Sequence, residues 1–194
     1  MGLNENNLPY EMKALRPGVL VYAAVATARD LPYLNVTAVT HAKGESVLQC
    51  WQLPYPFGIS NAPGVANGSY AVIGEVANTT LTVIPANSDG GRHYADSQWV
   101  YFITGLAHIT LPNSSDEAWI NGGKYGLLWA GDPSKFSKHG HSTFYHEQSV
   151  TLALMTEGGK EPKHEVVRQG ACVPDDLLGM AALGEREAEC TICE

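Results

Sequence analysis

Seven histidines stand among 194 residues, and their placement decides what chemistry the chain can offer. Imidazole exchanges protons near neutral pH and is the commonest metal ligand. The stretch 90–105, GGRHYADSQWVYFITG, holds His93 and, five residues on, Gln98 at the head of an apolar run. A second group, His139, His141 and His146, lies in SKHGHSTFYHEQ, and His108 sits alone in LAHITL. His93 is the one good metal ligand of its stretch, and a His-x-His pair such as His139 and His141 makes a plausible second hook. Without a metal, His93 and His141 are acid/base groups, Gln98 a hydrogen-bond partner for a substrate, and His108 a second pocket base. Asp96 is three residues from His93 and would point to the opposite face of a regular strand. His139 and His141 share a face if the local backbone is extended.

These groups need a scaffold, and the patterning describes one made of strands. Alternation and β-branched content predict strands near 33–40, 45–53, 69–74, 79–84, 98–104, 106–111, 124–130, 141–146 and 149–155, with a shorter one over 164–168. Turn signals such as Pro63-Gly64, Asn67-Gly68 and Asn121-Gly122-Gly123 separate them. Short strands at such spacing indicate an all-β sandwich or barrel. The one helix expected starts at Pro174-Asp175-Asp176 and runs to about Glu187, with proline and acidic residues suited to its positive end. If Gln98 faces the interior, Val100 and Phe102 do too, while Trp99 and Tyr101 face the other way. His108 is then either an interior pocket residue or a surface histidine, and His41 and His164, beside lysines, are solvated loop positions.

The run GGRHYADSQWVYFITGLAHITLP, followed by WINGGKYGLLWAGD and GHSTFYHEQSVTLALM, resembles the cupins, and in particular small secreted cupin-like proteins of fungi, over roughly residues 44–172. Gln98 and Gly105 reproduce the glutamate-to-glycine spacing of the first cupin motif, and His93 falls at its second histidine. Gly91 stands where the first histidine belongs. The resemblance implies an all-β, cupin-like (jelly-roll) β-barrel with extra N-terminal strands and a short C-terminal helix. It also implies a reduced metal site of His93, Gln98 and His141. In the second motif His141 takes the ligand position in one alignment; in the other, His146 falls on the motif's proline and the ligand is lost.

The remaining features concern destination and partners. From Met12 the chain reads MKALRPGVLVYAAVATA, with Lys13 and Arg16, a short apolar core and Ala26-Thr27-Ala28, as in a secretory signal; an ordinary first strand is the alternative. Residues 1–28 are assigned to that segment, 29–173 to the barrel domain and 174–194 to a helix and cysteine-containing tail. Four Asn-x-Ser/Thr sequences, at Asn35, Asn67, Asn78 and Asn113, are consistent with a secreted glycoprotein. Four cysteines allow three pairings; Cys50–Cys172 would fasten the chain's end to the domain body, and Cys190 and Cys193 read as a local disulfide or free thiols. A formal charge of −8 without a Lys/Arg cluster argues against nucleic acid, and the apolar run is too short to span a bilayer.

Three functions fit these residues. The first is a secreted cupin-type enzyme that oxidises, isomerises or cyclises a small organic molecule. It would use catalytic His93, His141 and His108, a lining of Gln98, Val100, Phe102 and Tyr145, and one divalent metal or none. The second is a metal-free module binding a small apolar or sugar-like ligand. The third is an interaction protein whose barrel is only scaffold. A homodimer is expected in the manner of such barrels.

Overall fold

The computed structural model describes residues 31–181, of which residues 174–181 form a short helix and most of the rest strands. The strands are β1 (Tyr33–Ala42), β2 (Glu45–Pro56), β3 (Gly58–Ile59), β4 (Ser69–Tyr70), β5 (Val76–Ile84), β6 (Ser88–His93) and β7 (Gln98–Thr104). They continue as β8 (Leu106–Thr110), β9 (Glu117–Asn121), β10 (Leu127–Ala130), β11 (His141–Tyr145), β12 (Ser149–Thr156) and β13 (Glu165–Gln169), ahead of α1 (Pro174–Ala181). The expected signal segment and the Cys190/Cys193 pair lie outside the described residues.

Seven strands form one sheet in the order β13-β2-β1-β10-β7-β12-β5, four form a second in the order β6-β11-β8-β9, and β3 and β4 make a small hairpin. The sheets are open, so the all-β class holds while closure into a barrel does not. Period-two alternation sorts the side chains between two cores. Val39, Leu48, Phe102, Leu128 and Ala130 of the large sheet meet Ala107, Ile109, Ala118 and Ile120 of the small one. The opposite face of the large sheet carries Val36, Trp51, Leu53, Trp99 and Trp129, with Phe57 and Ile73 packed among them. β7 alternates as the sequence predicts: Phe102 lies between the sheets with Val100 against it, and Trp99 lies on the other face.

Two predicted gaps hold strands. β6 reads SDGGRH, a turn by composition, but it pairs antiparallel with β11 and accommodates an extra residue between Asp89 and Arg92. Gly91, at φ 62°, supplies the left-handed backbone of that bulge. β9, EAWIN, pairs with β8 and buries only Ala118 and Ile120. Gly105, the last residue of the motif, turns β7 into β8 at φ 96°; a Cβ there would lie 2.6 Å from the Ser149 Cα. Its place is set by this close approach, with no ligand required.

Of the three pairings the sequence allows, the Cys50–Cys172 disulfide forms, and it ties β2 to the segment after β13 across 122 residues. Alongside it the Cys172 N–H donates to the Thr37 hydroxyl at 3.1 Å. Replacing both cysteines by alanine should lower stability by about 2–5 kcal/mol in denaturant unfolding. An unchanged midpoint would mean that the C-terminal segment is held without the bridge.

Candidate functional site

The site is built on a carboxylate. Asp132 follows β10 in the sequence LLWAGD and is 0% exposed. Its Oδ1 accepts the Ala95 N–H at 3.0 Å. Its Oδ2 accepts the Ser46 hydroxyl at 2.6 Å and His141 Nδ1–H at 2.8 Å. Ser137 donates to the Ser46 oxygen and accepts the Gly140 N–H at 3.1 Å. A buried carboxylate is tolerated only when donors of this kind surround it.

His141, 4% exposed, opens β11 and is the direct cross-strand partner of His93, which closes β6. Their rings meet edge to face with centroids 4.3 Å apart. His93 is half-buried, and its Nδ1 lies 3.0 Å from the Gly91 carbonyl oxygen. A carbonyl only accepts, so this Nδ1 carries the hydrogen. The same holds for His141 against the Asp132 carboxylate. In their neutral forms both rings therefore keep Nε2 as a bare lone pair. Burial first, and the neighbouring His141 second, push the His93 pKa below its ordinary 6.5, which preserves the neutral base near pH 7.

The other candidates make different contacts. Gln98 stands on β7 and makes no side-chain hydrogen bond to either ring among the described residues. Val100 and Tyr145 pack against the core cluster that buries Phe102, and burial raises the Tyr145 pKa. Tyr145 is four residues from His141 along β11, about 13 Å in an extended strand. His108 takes the surface alternative: Ala107 and Ile109 face the core while its ring stacks on Trp119 at 4.0 Å, outside the small sheet. Its Nε2 lies 2.9 Å from Glu117, whose carboxyl this bond holds below the usual range. His146 joins the same outer cluster, 5.0 Å from the Trp119 ring. His139 turns away from His141 to pair with Glu45 at 2.7 Å. Asp96 is exposed. The two histidines read as solvated are half-buried instead: His41 stacks on Phe136 and His164 on Trp51.

A metal would find two good donors here. Metal-binding histidines characteristically donate their second ring N–H to a carboxylate or carbonyl, and both His93 and His141 do. The set stops there: both Asp132 oxygens are occupied by donors, and among the described residues no three His, Cys, Asp or Glu side chains gather as a ligand group. The serines are no nucleophile either, because Ser46 bonds to the carboxylate side of His141 and not to its free nitrogen. Two clefts, of about 410 and 330 Å³, open elsewhere and are lined by none of His93, Gln98, His141 or Tyr145. Compared with protein-family models, curated proteins and solved structures, the chain matches none.

Asp132, Ser46 and Ser137 were not singled out from the sequence. The one available signal is an acidic residue directly after the buried strand LLWA and its glycine, nine residues before His141. Asp132→Ala should cost about 3–5 kcal/mol in chemical denaturation, because it strands three donors in the interior. Asp132→Asn should cost less, but leaves one oxygen for those three donors. His93 also gives stability a pH dependence. As pH falls, the unfolded chain takes up this proton at the ordinary 6.5 before the folded chain does. The contribution is therefore intact above 6.5 and is lost as pH falls through the lower folded value. His93→Gln should flatten the denaturation midpoint over this range; an unaltered slope would refute the assignment.

Proposed function

We propose that this is an exported, cupin-like protein that transfers a proton to or from a small organic molecule at the His93–His141 pair. The observation that carries the reading is the ordered series Asp132, His141, His93, in which each Nδ1–H is committed to an acceptor and each Nε2 is left bare. His93, the more accessible ring, acts as the base. His141 stands beside it, and Asp132 fixes the tautomer and orientation of His141. Such an arrangement suits isomerisation or cyclisation by abstraction and return of a proton. The Gln98-to-Gly105 spacing and the two-sheet, all-β architecture support the cupin resemblance. The disulfide supports an oxidising destination, and no described helix is long and apolar enough to cross a membrane. A bound divalent metal would add Lewis-acid polarisation of a substrate oxygen at the two Nε2 atoms, but two donors do not complete such a site and no step here depends on it.

The test is hydrogen exchange into a panel of small ketones and hydroxyketones in D2O. Deuterium incorporation should fall about 10²–10⁴-fold in His93→Ala and persist after chelator treatment. Exchange independent of His93 would defeat the reading, whereas loss on chelation restored by a single ion would replace it with the metal-assisted one.

One observation favours a metal-free binding module instead. The 330 Å³ cleft is lined by Leu34, Val36, Phe57, Leu127, Leu152 and Leu154 among others, the apolar lining expected of a small-molecule pocket. Binding of an apolar fluorescent probe that survives His93→Ala and is lost in Leu154→Glu would favour this second reading.

A further inference from the structure

β5 is the outer strand of the large sheet, paired with β12 on one side and with no other strand among the described residues. Eight of its nine residues are exposed, and Leu81 and Val83 are 62% and 60% exposed. An uncovered edge presents free N–H and C=O groups that template pairing with another chain, and sheets blunt such edges with charge, proline or bulges. The strand VANTTLTVI holds no charged residue and no proline, and its one register irregularity is confined to its start, between Val76 and Asn78. The opposite edge, β13, carries Glu165 and Arg168 within five residues. What β5 carries instead is Asn78-Thr79-Thr80, an acceptor sequence for N-glycosylation.

The fold separates the four acceptor sequences. Asn35 lies half-buried inside β1, with its Nδ2 donating to the Asp176 carbonyl of α1 at 2.7 Å and its Oδ1 accepting from Gln52 at 3.2 Å. A glycan on that nitrogen would displace the helix. Asn113 is exposed, but its Nδ2 donates to Glu45 at 3.2 Å and lies 2.7 Å from His139 Nδ1. Asn67 is exposed in the loop before β4. Asn78 is exposed, and only its Oδ1 is engaged, by the Thr79 N–H at 2.9 Å. The nitrogen that would take the sugar has no acceptor among the described residues.

We propose that Asn78 is N-glycosylated and that its glycan guards the β5 edge against pairing with a second copy, with Asn67 as a further acceptor and Asn35 unmodified. The inference rests on the export reading above. In the transfer, Asn78 Nδ2 forms a bond to the anomeric carbon of a lipid-diphosphate-linked oligosaccharide. The sugar–phosphate bond breaks, the lipid diphosphate leaves, and Nδ2 gives up one proton.

The full chain, secreted from a eukaryotic host, is treated with peptide-N-glycosidase in heavy-oxygen water and mapped by mass spectrometry. Asn78 and Asn67 should convert to labelled aspartate, and Asn35 should not. Asn78→Gln and Thr80→Val each remove the acceptor, and both should shift the protein from monomer to dimer or larger in sedimentation velocity. Leu81→Lys added to Asn78→Gln should restore the monomer. An unmodified Asn78 beside a modified Asn67, a modified Asn35, or monomeric Asn78→Gln would each overturn the inference. Absence of sugar at all four sites, or failure to be secreted, would instead remove the export reading and the inference with it.

Discussion

Asp132 is a carboxylate with no exposure to water, where an unpaired charge would cost several kcal/mol. Four stretches of chain converge to offset that cost: Ser46 from β2, Ala95 from the β6–β7 connection, Ser137 from the loop before β11, and His141 from β11 itself. Because Ser46 belongs to the large sheet and His141 to the small one, this hydrogen-bonded knot also joins the two layers. The apolar core between the sheets is non-directional and would tolerate small slips. The carboxylate is not, since its acceptor directions fix which face of His141 turns toward His93. The chemistry available at His93 is thus a consequence of how the fold compensates a buried charge.

Much of this is legible from the residues themselves. Strands such as SVLQCWQL and QWVYFIT alternate so regularly that their faces can be assigned without coordinates, and the Trp99/Phe102 division follows. β6 was hidden because its glycines and aspartate have the composition of a turn, whereas Asp89 and Gly91 in fact shape a bulge, with the Gly91 N–H donating to the Asp89 carboxylate at 2.8 Å. β9 was hidden because only Ala118 and Ile120 are buried, on either side of an exposed Trp119. The His93–His141 pairing depends on antiparallel register between strands 48 residues apart, which no local pattern specifies. Asp132 depends on the same long-range closure, so a lone acidic residue after LLWA gave no sign of its three donors.

The two faces of the large sheet divide the functional readings. One face packs on the small sheet, and its interior is filled by Val39, Leu48, Phe102 and their neighbours, with the histidine pair at its polar end. The other carries Trp51, Trp99 and Trp129 and the two clefts. A ligand held in an apolar cleft and a proton moved at His93 would therefore occupy different sides of the molecule. His108, Trp119 and His146 form a third grouping, on the outer face of the small sheet, where Glu117 pairs with His108.

The central claim, that acceptors on Nδ1 leave a bare Nε2 on each of two adjoining rings, is read most directly from long-range proton–nitrogen correlation spectra of the histidine rings. In their neutral forms both His93 and His141 should carry hydrogen on Nδ1 and none on Nε2. In Asp132→Asn the His141 preference should weaken, while His93, held by the Gly91 carbonyl, keeps its own. An Nε2–H tautomer at either ring of the unmodified protein would contradict the account.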